Sequence, residues 1–286
     1  PYDDPAAPLA EAMEREVRVA LAATWRFVAS APLSEYLDRI AREVAEHVDG
    51  APSEIRVVLA DEPGLRSLAL PSGLVILSVG LLTAVQDEAE LAFLLAHEIA
   101  HAASRDAEHR LVRLGFRAAV REDGRRPAMA WSDAVTDLVA LGYGARREHD
   151  ADARAIEAIA AQRYDATSAL RFVHRLELRG ERGETEVVET CCAHPPPVER
   201  IRRVERALFA RTDVSEPTRV NREVFRRVAS RAAIAELRPF TLETDTPVAG
   251  ALDPALRRGF RRALWIGGGV ALVASLLLVL GLALAR

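Results

Sequence analysis

Lysine is missing from this chain: its 38 basic side chains are all arginine, set against 42 acidic ones for a formal net charge of -4. With the two signs nearly balanced and no interleaving of basic with aromatic residues, there is no electrostatic footprint for nucleic acid. The arginines fall on helical stretches opposite acidic residues, the pattern of a solvated amphipathic surface. Cysteine is nearly absent too, with Cys191 and Cys192 side by side. A strain-free bridge needs Cα atoms about 5.5 Å apart and chain neighbours sit about 3.8 Å apart, so the two are read as packed thiols. Without a disulfide framework, cysteine usage makes no case for an oxidising compartment. The first residues, Pro1 to Ala6, have neither the basic region nor the apolar run of a secretory signal. No internal repeat is found.

Long apolar runs are missing everywhere except at the C-terminus. Ala263 to Ala285 contains no charge and is rich in Leu, Val, Ala and Gly; as a helix it is about 34 Å long, against a hydrocarbon core of about 30 Å. It is expected to cross a lipid bilayer once, because it is apolar all round where a buried soluble helix shows a stripe. Arg257, Arg258, Arg261 and Arg262 precede it and only Arg286 follows. The positive-inside tendency then puts the preceding domain on the cytoplasmic side, with extracytoplasmic exposure as the alternative. Gly267, Ala271 and Ser275 form a ridge of small residues through which two such helices could pair into a homo-oligomer.

What the chain does have is His97-Glu98-Ile99-Ala100-His101, inside a run from Asp87 to Ser104 with no Pro or Gly. Strong helix formers dominate the run, so a helix is predicted. On it the two histidines are i and i+4 neighbours on one face, and Glu98 sits about 100° around, within reach of a water on the same ion. This arrangement points to a zinc hydrolase, which needs a third protein ligand and one open corner. Glu148 in Glu148-His149-Asp150-Ala151-Asp152 can supply it. The segment from Arg146 reads as a helix with Ala151, Ala155, Ile156 and Ile159 on its apolar side. Asp152, one turn after Glu148, is a candidate to orient a ligand imidazole, since a metal-bound histidine donates its free N–H to a carboxylate or carbonyl. One zinc per chain is expected, with Glu98 as general base.

These residues resemble the gluzincin zinc peptidases of the HtpX, CAAX-prenyl-endopeptidase and Oma type. Leu91 to His101 is similar to the family's motif helix, and Glu148-x-x-Ala151-Asp152 to its second ligand motif. Leu70 to Leu82, with the Pro71-x-Gly73 turn, resembles its strand, and His194-Pro195-Pro196-Pro197-Val198-Glu199-Arg200-Ile201 resembles its histidine-proline box. The four elements stand in the family's order and cover about residues 54 to 205. Arg66-Ser67-Leu68 stands where the family commonly has Asn-Ala-Phe, and Gly144-Ala145 where it has Ser-Arg. The resemblance implies that His194 lies near the metal, where it either stabilises the transition state or ligates zinc in a resting form, and that Arg200 buttresses that segment. It further implies that Leu74 to Ser78, as an edge strand, pairs with an extended protein or peptide substrate.

The fold expected is α+β, mainly α: a zincin-like metallopeptidase domain with a small β-sheet, plus one C-terminal transmembrane helix. Residues 1–53 are assigned to a helical segment packing on the catalytic domain, 54–238 to the metallopeptidase domain, 239–262 to a linker and basic juxtamembrane segment, and 263–285 to the span. Helices are expected near 8–30, 33–48, 106–120, 130–144, 146–162, 166–178, 196–210 and 219–237. Strands are expected near 54–60, 66–70 and 74–78, with a gate-like loop at 179–190. The function expected is membrane-anchored zinc endopeptidase in protein quality control. The alternative is a zinc-binding scaffold or chaperone-like subunit with vestigial activity, against which the intact Glu98 speaks.

Overall fold

The structure, a computed structural model, describes residues 7–113, 143–181, 197–210 and 219–242. Residues 130–142 of the expected helix at 130–144, most of the gate-like loop, Cys191, Cys192, His194, the juxtamembrane arginines and the span 263–285 lie outside the described residues, and Tyr143 and Gly144, at the end of that expected helix, are not helical. By Cα proximity the chain divides into two units, Pro1–Glu243 and Thr244–Arg286. Among the described residues no helix is long and apolar enough to cross a membrane.

Among the described residues five strands form one mixed sheet: β1 (Phe27–Ala29), β2 (Arg56–Ala60), β3 (Ser67–Ala69), β4 (Leu74–Ser78) and β5 (Arg238–Phe240), in the order β3-β4-β2-β1-β5. The apolar run of β4 shows no polar alternation, as a strand buried on both faces requires. Val75 and Leu77 join Val57, Leu59 and Ala69 in the larger core, and Leu74 and Ile76 join Val58, Ala60 and Leu68 in a second core. β4 pairs in parallel with β2, Val75 opposite Val57, and antiparallel with β3, Val75 opposite Ala69. Here the structure corrects the sequence reading: β4 is interior, and among the described residues the sheet's outer strand on this side is β3. The turn joining them needs Gly73, whose φ is +91° and whose missing Cβ would collide with the Glu54 carbonyl.

The described helices are α1 (Ala7–Thr24), α2 (Ala31–Ala45), α3 (Val79–Ala84), α4 (Glu88–Ala103), α5 (Asp106–Arg113), α6 (Ala145–Ala161), α7 (Thr167–Glu181), α8 (Pro197–Ala210), α9 (Arg222–Val228) and α10 (Arg231–Ala235). The helix expected over 8–30 stops at Thr24, because Phe27 and Val28 pair with Ala60 and Leu59 of β2. A three-residue strand carries too little periodicity to stand out against an adjoining helix. Likewise the helix expected over 219–237 is two short ones, and β5 follows, pairing with β1 where a linker was expected to begin.

α2 buries Leu33, Leu37, Ile40, Ala41 and Val44 at helical spacing, with Pro32 in its first turn. α4 is buried along nearly its whole length, between the sheet and α2, α6 and α7, so its uniform apolarity reflects burial on every side. Its first turn is tied down by charge. The Asp87 side chain caps it, accepting from the Glu90 amide at 3.0 Å. Glu90 takes two bonds from Arg175 at 2.7 and 2.6 Å. Glu88, 1% exposed, accepts from Tyr36 at 2.7 Å, Tyr164 at 2.9 Å and Asn221 at 2.7 Å. Carboxylates at a helix N-terminus also complement the positive end of its dipole. The helix carrying the histidines is therefore anchored to α2, α7 and the segment leading into α9.

Candidate metal centre

α6 lies along α4, with Ala151, Ala155, Ile156 and Ile159 buried, and that packing brings Glu148 to the two imidazoles. The Nε2 atoms of His97 and His101 are 3.1 Å apart, and Glu148 Oε2 is 3.4 Å from each. For a tetrahedral zinc at about 2.0 to 2.1 Å from its ligands, donor atoms are separated by about 3.3 Å. The triangle fits that spacing. All three residues are buried, and among the described residues no other group of histidine, cysteine and acidic side chains makes such a cluster.

The remaining ring nitrogens define how the imidazoles are presented. His97 Nδ1 is 2.8 Å from Asp152 Oδ1 and His101 Nδ1 is 2.8 Å from Asp106 Oδ2. With the carboxylates accepting, each Nδ1 carries the proton and each Nε2 offers a lone pair to the centre of the triangle. Asp152 is held in turn by Arg200, whose Nε and Nη2 donate to it at 2.8 and 2.7 Å. Asp106 is ion-paired with Arg147. Asp106 was not singled out from the sequence. Its signal was available, an acid five residues beyond the second histidine where α4 turns into α5 through Arg105, a residue with φ of +53°.

Charge in this pocket is one-sided. Glu98, Glu148, Asp152 and Asp106 are buried, and among the described residues Arg200 pairs with Asp152 and Arg147 with Asp106. With neutral imidazoles the acidic groups outnumber these two guanidinium groups among the described residues, a balance that suits a divalent cation. The histidines report the same field: burial alone favours their neutral form, but Asp152 and Glu148 beside His97, and Glu148 beside His101, outweigh it and raise both above the ordinary value. Burial likewise disfavours the ionised Asp152, yet Arg200 and His97 hold its carboxyl far below the usual range. The donor set, its spacing and its charge fit a zinc ion.

Glu98, 2% exposed, accepts a hydrogen bond from Ser67 Oγ at 2.8 Å. Ser67 lies on β3 and was noted in the sequence only as a departure from the family pattern. The Tyr143 ring packs against His101 with centroids 4.5 Å apart, and its backbone N–H reaches Glu148 Oε1 at 3.3 Å. His149 stays out of the triangle and lines a cavity of about 880 Å³ with Asp106, Arg147 and Arg203.

A model of peptidase family M48 matches residues 32–208. The chain belongs to peptidase family M48. The M48 match begins on α2, so the helix that anchors Glu88 falls within it, and it contains every ligand and supporting residue just described. M48 peptidases are zinc metallopeptidases, which makes metallopeptidase the functional class of this chain. No curated protein matches it.

Proposed function

We propose that this chain is a zinc-dependent endopeptidase acting on protein or peptide substrates. The observation that carries the reading is the triangle of His97, His101 and Glu148 with the Ser67-oriented carboxylate of Glu98 next to it. A zinc ion held by those three residues, one per chain, would acidify a water and polarise the scissile carbonyl. Glu98 takes the proton of the attacking water and returns it to the leaving amine, so no proton is lost or gained over the cycle. Asp152 and Asp106 keep the imidazoles in the ligating tautomer, and Arg200 holds Asp152 in place. His194, outside the described residues, is retained either as donor to the developing oxyanion or as a resting ligand. An extended substrate pairs with β3, whose outer edge has no partner strand among the described residues.

We further propose that residues 263–285 anchor the enzyme in a bilayer, with the catalytic domain on the cytoplasmic side and quality control of membrane proteins as its role. The apolar run and the four arginines before it support this. Zinc analysis paired with casein digestion by wild type and Glu98→Gln tests the enzymatic reading. The variant should keep its zinc and lose about 10²- to 10⁴-fold in kcat. Equal digestion by both proteins would remove Glu98 from the chemistry, and zinc binding without digestion by either would leave the scaffold reading. For the anchor, protease protection in sealed vesicles should leave the catalytic domain digestible from the cytoplasmic face and carbonate should fail to extract the chain. Extraction by carbonate would overturn it.

A further inference from the structure

The outer edge of β3 meets a buried phenol. In the hairpin of β3 and β4 the Leu70 amide donates to the Leu74 carbonyl and the Ser78 amide to the Arg66 carbonyl. By the alternation of an antiparallel ladder, Arg66, Leu68 and Leu70 then direct their backbone groups at β4, and Ser67 and Ala69 turn theirs away from it. Ser67 is the residue that holds Glu98, so this outward edge runs alongside the reacting groups.

Tyr143 closes the Ala69 end of that edge. It is 8% exposed, with its ring on His101 and its amide on Glu148. Its hydroxyl is buried and faces the Ala69 amide without a hydrogen bond of ordinary geometry, and no other group among the described residues pairs with it. A phenol is an O–H donor, and among the described residues this one has no acceptor. Buried polar groups without partners are rare in folded proteins, and a ligand that supplies the missing partner is one physical explanation of such a group beside a reaction centre. A carbonyl oxygen has two lone pairs, so one that takes the Ala69 amide can accept a second donor.

We propose that Tyr143 is a substrate-binding residue, whose hydroxyl donates to a main-chain carbonyl of the extended peptide lying along the outer edge of β3. The inference rests on the peptidase reading above and adds to it the main-chain carbonyl that the centre recognises. Because the contact is to backbone, it is indifferent to substrate side chains and suits an enzyme that accepts many sequences.

The test uses the zinc-loaded full chain and a fluorogenic peptide, with a series in which (E)-alkene isosteres remove one carbonyl at a time. Tyr143→Phe should raise KM about tenfold, with kcat within about twofold and unchanged zinc content. At one position the isostere should cost wild type a similar factor and cost Tyr143→Phe nothing further, the non-additivity of two groups that touch. Additive losses at every position would overturn the contact and leave the ring a packing role. A fall in kcat of about 10²-fold at constant KM would instead make the hydroxyl a donor to the reacting atoms, and a fall in KM would make it an obstruction; either overturns the proposal. Equal hydrolysis by wild type and Glu98→Gln would instead defeat the peptidase reading itself.

Discussion

Asp152 Oδ1 lies 2.8 Å from Nδ1 of His97 and 2.7 Å from Nη2 of Arg200. One carboxylate, a turn of α6 beyond Glu148, thus links the first histidine of the motif to α8. The second histidine has its own acid, Asp106, from a different helix. Each imidazole is oriented independently, and three consequences of the surrounding network can be measured.

Replacing Asp152 by Asn keeps the side chain's shape but removes the charge that polarises His97 and pairs with Arg200. Zinc affinity should fall about 10- to 100-fold, the usual cost of losing a carboxylate behind a ligand histidine. Competition with a chromogenic chelator reads this directly. Affinity within twofold of wild type would show that the His97 tautomer is fixed by something else.

Ser67→Ala removes the hydroxyl that donates to Glu98 and leaves the zinc ligands untouched. We expect kcat to drop about tenfold, as a general base loses its orientation, with zinc content and affinity unchanged. An unchanged kcat would mean that Glu98 is held by packing alone.

Acid stability should depend on Glu88. Burial on its own pushes this carboxyl up, but hydrogen bonds from Tyr36, Asn221 and Tyr164 and the charge of Arg39 overcome it and lower its pKa from 4.5. The folded state therefore binds the proton more weakly than the unfolded chain does. Its stabilisation is fully present above the unfolded value of 4.5 and is lost as pH falls through the lower folded value. In chelator-treated protein, the Tm difference between wild type and Glu88→Gln should be largest near neutral pH and shrink below about pH 4.5. A difference that stays constant from pH 7 to 3 would contradict the linkage.

How far the sequence could be read varied with how local each feature is. The motif helix and α6 were legible because helical spacing and the absence of breakers sit within one stretch of chain. β1 and β5 were not, since each is three residues long and exists only through pairing with a distant segment. The position of β4 in the sheet was misjudged for a related reason: its apolar run says that both faces are covered, but not which strands lie beside it. Asp106 and Ser67 were overlooked because an acid after a helix and a serine in a strand are ordinary until the fold puts them 2.8 Å from His101 and Glu98.

The sequence by itself determined that two imidazoles share a helix face and that an acidic residue on a second helix is spaced to join them, because a period of 3.6 residues is written into neighbouring positions. It also determined the chemical class of the centre, since donor types need no coordinates. The tertiary structure alone decided that Glu148 comes within 3.4 Å of both rings, that each ring has its own carboxylate, and that β3 presents the outer edge. Those outcomes depend on α4, α6 and the sheet burying one another's apolar faces, a condition that joins residues far apart in the chain and that no local pattern contains.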